Sequence, residues 1–375
     1  MKAQGIDVIN LGAGEPDFNV DPHICHAVIE AIGKGQTKYT SVDGISELKQ
    51  AICEKFKRDN GLIYSPSQIN VSPGGKAVIY NALAVSLNPG DQVIIPTPCW
   101  VSYPDMVKFF GGAPVIIKGD QSRGFKISPK QLDAAITDKT KWFILNSPSN
   151  PTGLVYTQTE LRALGEVLQA YPHIMILADD IYEHIIYDGQ EFATIAQACP
   201  TLYSRVLTMN GVSKAYAMTG LRIGFAAGPE EVIKAMAKIM GQSSSNPASI
   251  SQWAALAALC GSQSELKSRL KIYQKRRDFV CQSLAALPLI SCAVPQGAFY
   301  VFADISKLIG RHTKAGTLIA DDKLLAQALL EEAHLATIPG TAFYCSGFLR
   351  LSFAADMDRL SDAMKRLGDF LKDVH

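Results

Sequence analysis

Asn210-Gly211-Val212-Ser213-Lys214-Ala215-Tyr216-Ala217-Met218-Thr219-Gly220-Leu221-Arg222-Ile223-Gly224 places a lysine six residues before a glycine and eight before an arginine, in weakly polar surroundings. A free lysine, with a pKa of about 10.4, is protonated and a poor nucleophile at neutral pH. Set among small and apolar residues with a second cation nearby, it loses its proton more readily and attacks an aldehyde to form a Schiff base. Arg222 can lower the lysine pKa and can hold an anion bidentately. The segment is preceded by the apolar run Val206-Leu207-Thr208-Met209 and followed by Ile223-Gly224-Phe225-Ala226-Ala227, so it reads as a loop between two strands.

The same grammar recurs upstream. Ile69–Ser72 reads as a strand, followed by Pro73-Gly74-Gly75-Lys76 and a helix to about Leu87. A glycine turn at a helix start presents free N–H groups and the positive end of the dipole, which suits a phosphate. Asp91–Ile95 reads as a strand leading to Trp100, which can stack on a flat ring or simply pack in the core. Phe109–Lys118 is expected as a further strand, Lys141–Leu145 ends in Asn146-Ser147-Pro148-Ser149-Asn150-Pro151-Thr152-Gly153, and Ile174–Ala178 stops abruptly at Asp179-Asp180-Ile181-Tyr182. Helices are expected over Ser46–Asn60, Ser128–Ile136 and Thr159–Ala170. Strands alternating with helices call for a mostly parallel sheet covered on both faces. The polar candidates fall just past the C-terminal strand ends, where such sheets bind ligands.

Helices over Glu230–Met240 and Ser249–Cys260 flank the serine-rich turn 242–247, and a long helix from Glu265 to about Leu287 leads to a second unit. That unit has strands near 291–294, 298–302 and 348–353 and helices at 323–333 and 356–371. It reads as a smaller α+β domain, joined by the N-terminal segment with its Val8–Phe18 strand and loop and a helix from Pro22. The expected division is 38–270 for the large domain and 1–37 with 271–375 for the small one.

With 375 residues, 47% apolar residues and a net charge of +1, the chain is long enough for two cores and has no basic block that would track nucleic acid. No run reaches the ~18 apolar residues of a membrane span. Residues 1–7 lack a signal-peptide core, and the eight scattered cysteines fit reduced thiols, so the expected location is the cytoplasm.

Taken together, 146–153, Asp179-Asp180-Ile181-Tyr182, the lysine segment, Phe348-Leu349-Arg350-Leu351-Ser352, Trp100-Val101-Ser102-Tyr103-Pro104 and Ser251–Leu256 resemble the class I pyridoxal-phosphate-dependent aminotransferases of fold type I, nearest the bacterial aspartate aminotransferases. The resemblance implies an α/β fold with a mostly parallel central sheet and a smaller α+β domain. It also implies that Lys214 carries pyridoxal 5'-phosphate and shuttles a proton, that Asp179 pairs with the pyridine nitrogen, and that Tyr182 and Asn150 bond the ring oxygen. Trp100 would stack on the ring, while Gly75, Lys76 and Arg222 hold the phosphate and Tyr39 reaches the phosphate of a neighbouring subunit in a homodimer. Arg350, with Gly14, Trp100 and Asn150, would bind the substrate carboxylate. Lys76 is the candidate for the distal carboxylate of aspartate or glutamate, because 241–247 has no cation.

Two departures accompany the resemblance. Relatives carry an extra N-terminal arm of about one helix, which bears on lid closure and dimer strength. Some have a phosphate-binding serine where this chain has Gly211, so no role passes to Ser213. Alternatives within the class are prephenate, aromatic or alanine-type aminotransferases. Further off stand a fold type I lyase and a non-catalytic effector-binding domain.

Overall fold

In this computed structural model, residues 4–375 are described; residues 1–3 of the expected N-terminal segment lie outside them. After β1 (Ile9–Asn10), the chain lays down β2 (Ile69–Ser72), β3 (Gln92–Thr97), β4 (Ala113–Lys118), β5 (Thr140–Asn146), β6 (Met175–Asp179), β7 (Val206–Gly211) and β8 (Gly224–Ala227). The last seven form one sheet in the order β2-β8-β7-β6-β5-β3-β4. All run parallel except β8, which is antiparallel to both its neighbours. Burial on both faces explains the near-continuous apolar runs. Along β5, Phe143 and Leu145 enter the core beneath the helix Ser46–Asn60, while Trp142 and Ile144 enter the opposite core with the helices Gly75–Ala84 and Ser102–Phe109.

One expected element needs correction. Phe109–Lys118 is not a single strand: a helix over Ser102–Phe109 ends before Gly111, and β4 starts at Ala113. On this helix Tyr103, Met106 and Val107 are buried together with Pro104, and the spacing of three and four from Tyr103 marks one helical face. Its brevity, and the prolines at 96, 98 and 104, obscure that period in the sequence.

The smaller unit contains β9 (Ser291–Cys292), β10 (Tyr300–Asp304), β11 (Leu335–Ala336), β12 (Ile338–Pro339) and β13 (Phe348–Ser352). Four of them form an antiparallel sheet in the order β12-β13-β10-β9, and β11 pairs in parallel with β1. The helices Ser264–Ala285, Asp322–Glu332 and Met357–Lys372 contribute Tyr273, Leu325 and Leu367 to its core. The N-terminal segment is divided between the two cores. β1 contributes Ile9 to the small one, whereas Ile24, on the helix Pro22–Gly33, is buried in the large one. Asp21 takes the N-cap position of that helix, but its carboxylate accepts from Arg269 Nη2 at 2.6 Å instead of capping.

A buried ion pair secures the loop after β6. Lys55, 1% exposed, meets Glu183, and Asn60 bridges them, accepting from Lys55 Nζ at 2.9 Å and donating to Glu183 Oε2 at 3.0 Å. Burial pushes the Glu183 pKa up, but Lys55 and His184 outweigh it and hold the carboxyl well below its usual range. Its stabilising effect is therefore fully present at neutral pH and is lost progressively as pH falls below the ordinary carboxyl value of 4.5.

Candidate active site

The C-terminal ends of β2, β3, β5, β6 and β7 share one edge of the large sheet, and β8 begins there. The small unit leans over this edge and encloses a cleft of about 620 Å³. Ten of the eleven residues singled out from the sequence line it: Gly14, Gly75, Lys76, Trp100, Asn150, Asp179, Tyr182, Lys214, Arg222 and Arg350. Tyr39 stands apart, 90% exposed and outside the cleft of its own chain. Ser213 also lines the cleft; Asp180 does not. The Asp180 carboxyl is buried away from the cleft, where desolvation drives its pKa well up.

Lys214 leaves the loop after β7 with its side chain half-buried, and Nζ donates to the Gly14 carbonyl. Its pKa is lowered to about 8, chiefly by desolvation; Glu15 and Asp179 oppose the shift, while Arg350 and Arg222 add to it. Burial, more than the neighbouring arginine expected from the sequence, is thus the main cause. Asp179 ends β6, the strand beside β7, and is 4% exposed. Its Oδ2 accepts from Tyr103 Oη and its Oδ1 from the Ile181 amide at 3.3 Å. Burial raises its pKa to about 6, opposed by the Tyr103 and Ile181 hydrogen bonds and by Lys214.

Two glycines let the anion-binding corner close up. Gly74, the N-cap of the helix Gly75–Ala84, has φ 94°, and a Cβ there would come within 2.4 Å of Arg222 Nη2. A Cβ on Gly224 would come within 2.3 Å of the Gly75 amide nitrogen. Arg222, itself left-handed at φ 56°, is thereby set against the N-terminus of that helix, so a guanidinium and free backbone amides meet in one corner. Across the cleft, Arg350 projects from β13, donating to Asn150 Oδ1 at 2.8 Å and to the Gly12 carbonyl at 2.6 Å. Its guanidinium lies 4.4 Å from the Tyr300 ring centroid, and its Nε has no hydrogen-bond partner among the described residues. Lys76 Nζ sits 4.9 Å from the Trp100 ring.

Several cleft residues escaped the sequence reading. Tyr300 shares a 2.7 Å hydrogen bond with Tyr182. Asn146 donates to the Asp179 carbonyl at 2.9 Å, Glu15 accepts from Thr219, and Tyr103 reaches Asp179 from the unrecognised helix. For Tyr103 the available signal was its place in 100–104, three residues beyond Trp100.

An amine with a lowered pKa, a buried carboxyl and an anion corner fit a phosphorylated, aldehyde-bearing cation. The comparisons agree. The profile of the family "Aminotransferase class I and II" matches residues 6–367. This chain belongs to that family. An aspartate/prephenate aminotransferase of Cereibacter sphaeroides is 54% identical over 370 residues, 99% of this chain and 92% of that relative. Among solved structures, the aspartate aminotransferase from Rhizobium meliloti matches with a TM-score of 0.97 at 49% identity, over 100% of this chain and 94% of that one. The Thermus thermophilus aspartate aminotransferase, solved with maleate, matches at 0.91 and 40%, over 98% and 93%. The fold is therefore the α/β fold of the aspartate aminotransferases, and the chain is an aminotransferase.

The Asp179 shift has a consequence for stability. Its folded pKa of about 6 exceeds the reference value of 3.8, so the native state binds more protons between these limits and stability falls as pH rises through them. Without a cationic ligand, Asp179→Asn is expected to stabilise the chain by about 1–3 kcal/mol at pH 7.5, with the gain fading towards pH 4. Denaturant unfolding of the cofactor-free chain at both pH values checks this; a gain independent of pH contradicts it.

Proposed function

We propose that this aminotransferase moves the amino group of an acidic amino acid to a 2-oxo acid, using pyridoxal 5'-phosphate, in a homodimer. The observation that carries the reading is the placement of Asp179 at the end of β6 and Lys214 in the loop after the neighbouring β7, beside the Gly75–Arg222 anion corner and in one cleft with Arg350. When bound, the cofactor supplies an aldehyde that condenses with amines and a ring that takes up the electron pair left when a substrate Cα loses its proton.

The protein's own groups do the rest. Lys214 Nζ, with its pKa near 8, is unprotonated often enough at neutral pH to act as a nucleophile and then as the base that takes and returns the Cα proton. Asp179 would pair with the ring nitrogen and hold it protonated, and Trp100 would cover the ring face. Tyr182 and Asn150 would donate to the ring oxygen. The amides of Gly75 and Lys76, with Arg222, would take the phosphate. Arg350 would exchange its present acceptors, Asn150 Oδ1 and the Gly12 carbonyl, for the substrate α-carboxylate, with Gly14, Trp100 and Asn150 around it.

An acidic substrate brings a second carboxylate, and burying it unpaired is costly. The turn 241–247 has no cation, and Lys76 Nζ stands beside Trp100 in the cleft. Lys76 is therefore assigned to the distal carboxylate. The Thermus relative's structure with maleate, a dicarboxylate, supports this preference. The Cereibacter relative's name supports a second acceptor, prephenate, whose ring carboxylate can meet the same lysine. A single-turnover screen of amino acids and 2-oxo acids, read from the cofactor's absorbance, decides between acidic, aromatic and prephenate preference. In that screen Lys76→Ala should lose about ten- to a thousandfold on aspartate and glutamate, and far less on alanine or phenylalanine. An equal loss on all four would mean that Lys76 serves the cofactor alone.

The exposure of Tyr39 suits a residue that completes the site of a neighbouring copy. Mixing Lys214→Ala chains with Tyr39→Ala chains leaves one intact site in each mixed dimer, so activity should return to roughly a quarter of wild type. Mixtures no more active than the separate variants would rule out a shared site.

A further inference from the structure

Tyr103 reaches the cleft from the helix Ser102–Phe109, whereas Asp179 stands at a strand end. Its ring is 1% exposed and is held edge-on to Trp100, with centroids 5.3 Å apart. Its hydroxyl donates to Asp179 Oδ2, the Ile181 amide holds Oδ1, and the Asn146 side chain holds the Asp179 backbone carbonyl. Two donors thus hold the carboxyl, one on each oxygen, and a third holds the main chain behind it. The titratable groups facing Asp179 are Tyr103, Lys214 from the loop after β7, and Asp180 and Tyr182 from its own loop; Cys99 lies behind Tyr103. Among the described residues, no arginine or lysine side chain is hydrogen-bonded to the carboxyl.

The neutrality of the donor matters. A cationic donor would neutralise Asp179 and compete with a cationic ligand for it. With no donor, the buried carboxyl would take up a proton and offer no charge. A phenol hydroxyl stabilises the ionised carboxylate and leaves its charge available. Burial and the Asp179 charge raise the Tyr103 pKa well above its usual value, so the phenol remains a donor throughout the working range.

Resting on the proposed cofactor reading, we infer that Tyr103 is a positioning residue that keeps Asp179 ionised and oriented, without neutralising it, so that the carboxylate can receive the cationic ring nitrogen. Losing this hydrogen bond should raise the pH at which Asp179 ionises. Cofactor affinity, which needs the carboxylate, should then fail at a higher pH.

The test measures the dissociation constant of pyridoxal 5'-phosphate for the full chain between pH 5 and 9, by quenching of tryptophan fluorescence. Tyr103→Phe is expected to move the acid limb of the profile up by about one to two pH units, the worth of a hydrogen bond to a charged group, while affinity near pH 9 stays within about threefold. Replacing Tyr103 with 3-fluorotyrosine, which keeps the shape but donates more strongly, should move the limb down, and this variant decides the matter if Tyr103→Phe does not fold. A uniform loss at every pH, or an unmoved limb with fluorotyrosine, would reduce Tyr103 to packing and overturn the inference. Asp179→Asn separates the two levels. If it abolishes the acid limb and changes at Tyr103 leave the limb unmoved, only this inference fails; if it leaves the limb intact, the assignment of Asp179 to the ring nitrogen fails with it.

Discussion

Desolvation at one edge of a parallel sheet is the constraint on which the rest of this structure depends. It acts in opposite directions on an acid and a base, raising Asp179 to about 6 and lowering Lys214 to about 8. Both groups are thereby brought into the range where protons can be exchanged at neutral pH. The sheet makes the arrangement reproducible, because β6 and β7 are hydrogen-bonded neighbours, β6 delivering Asp179 as its last residue and β7 leading into the loop that carries Lys214. The glycine contacts around Gly74 and Gly224 add the third feature, a positive corner where helix N-terminus and Arg222 meet.

The small unit is joined to this edge by polar contacts from several elements. Arg350 on β13 reaches Asn150 of the large unit and the Gly12 carbonyl just beyond β1. Tyr300 on β10 stacks against Arg350 and meets the hydroxyl of Tyr182. Along the helix Ser264–Ala285, Arg276 pairs bidentately with Asp17 at 2.7 Å, and Arg269 pairs with Asp21. The two sheets and the N-terminal segment are therefore linked through a few named side chains. The buried Lys55–Glu183 pair holds the loop that follows Asp179 and carries Tyr182.

Much of this was legible in the sequence because strand ends and glycine turns are local signals. The strand Ile69–Ser72 and the helices Ser46–Asn60 and Ser249–Cys260 have the bounds their residues imply. Residues widely separated in the chain, such as Gly14, Asp179, Lys214 and Arg350, meet as the resemblance implied. The helix Ser102–Phe109 was hidden by its shortness and by the prolines around it, and with it the role of Tyr103. Tyr300 was missed for a different reason. It lies on an apolar strand, Tyr300–Asp304, where an aromatic residue reads as core, and only the antiparallel pairing with β13 brings it beside Arg350. For Lys214 the sequence named both apolar surroundings and a nearby arginine, but not that burial outweighs the charge, since the depth of a side chain is a tertiary property that no local string records.

The proposed mechanism requires the amine of Lys214, and no other, to join the cofactor. Borohydride reduction of the pyridoxal-phosphate-loaded chain turns any carbon–nitrogen double bond between cofactor and lysine into a stable single bond, and peptide mass spectrometry then locates it. The account predicts one pyridoxyl group per chain, on Lys214. Lys76 lines the same cleft and is the internal control; modification of Lys76 instead, or no modification at all, would contradict the account.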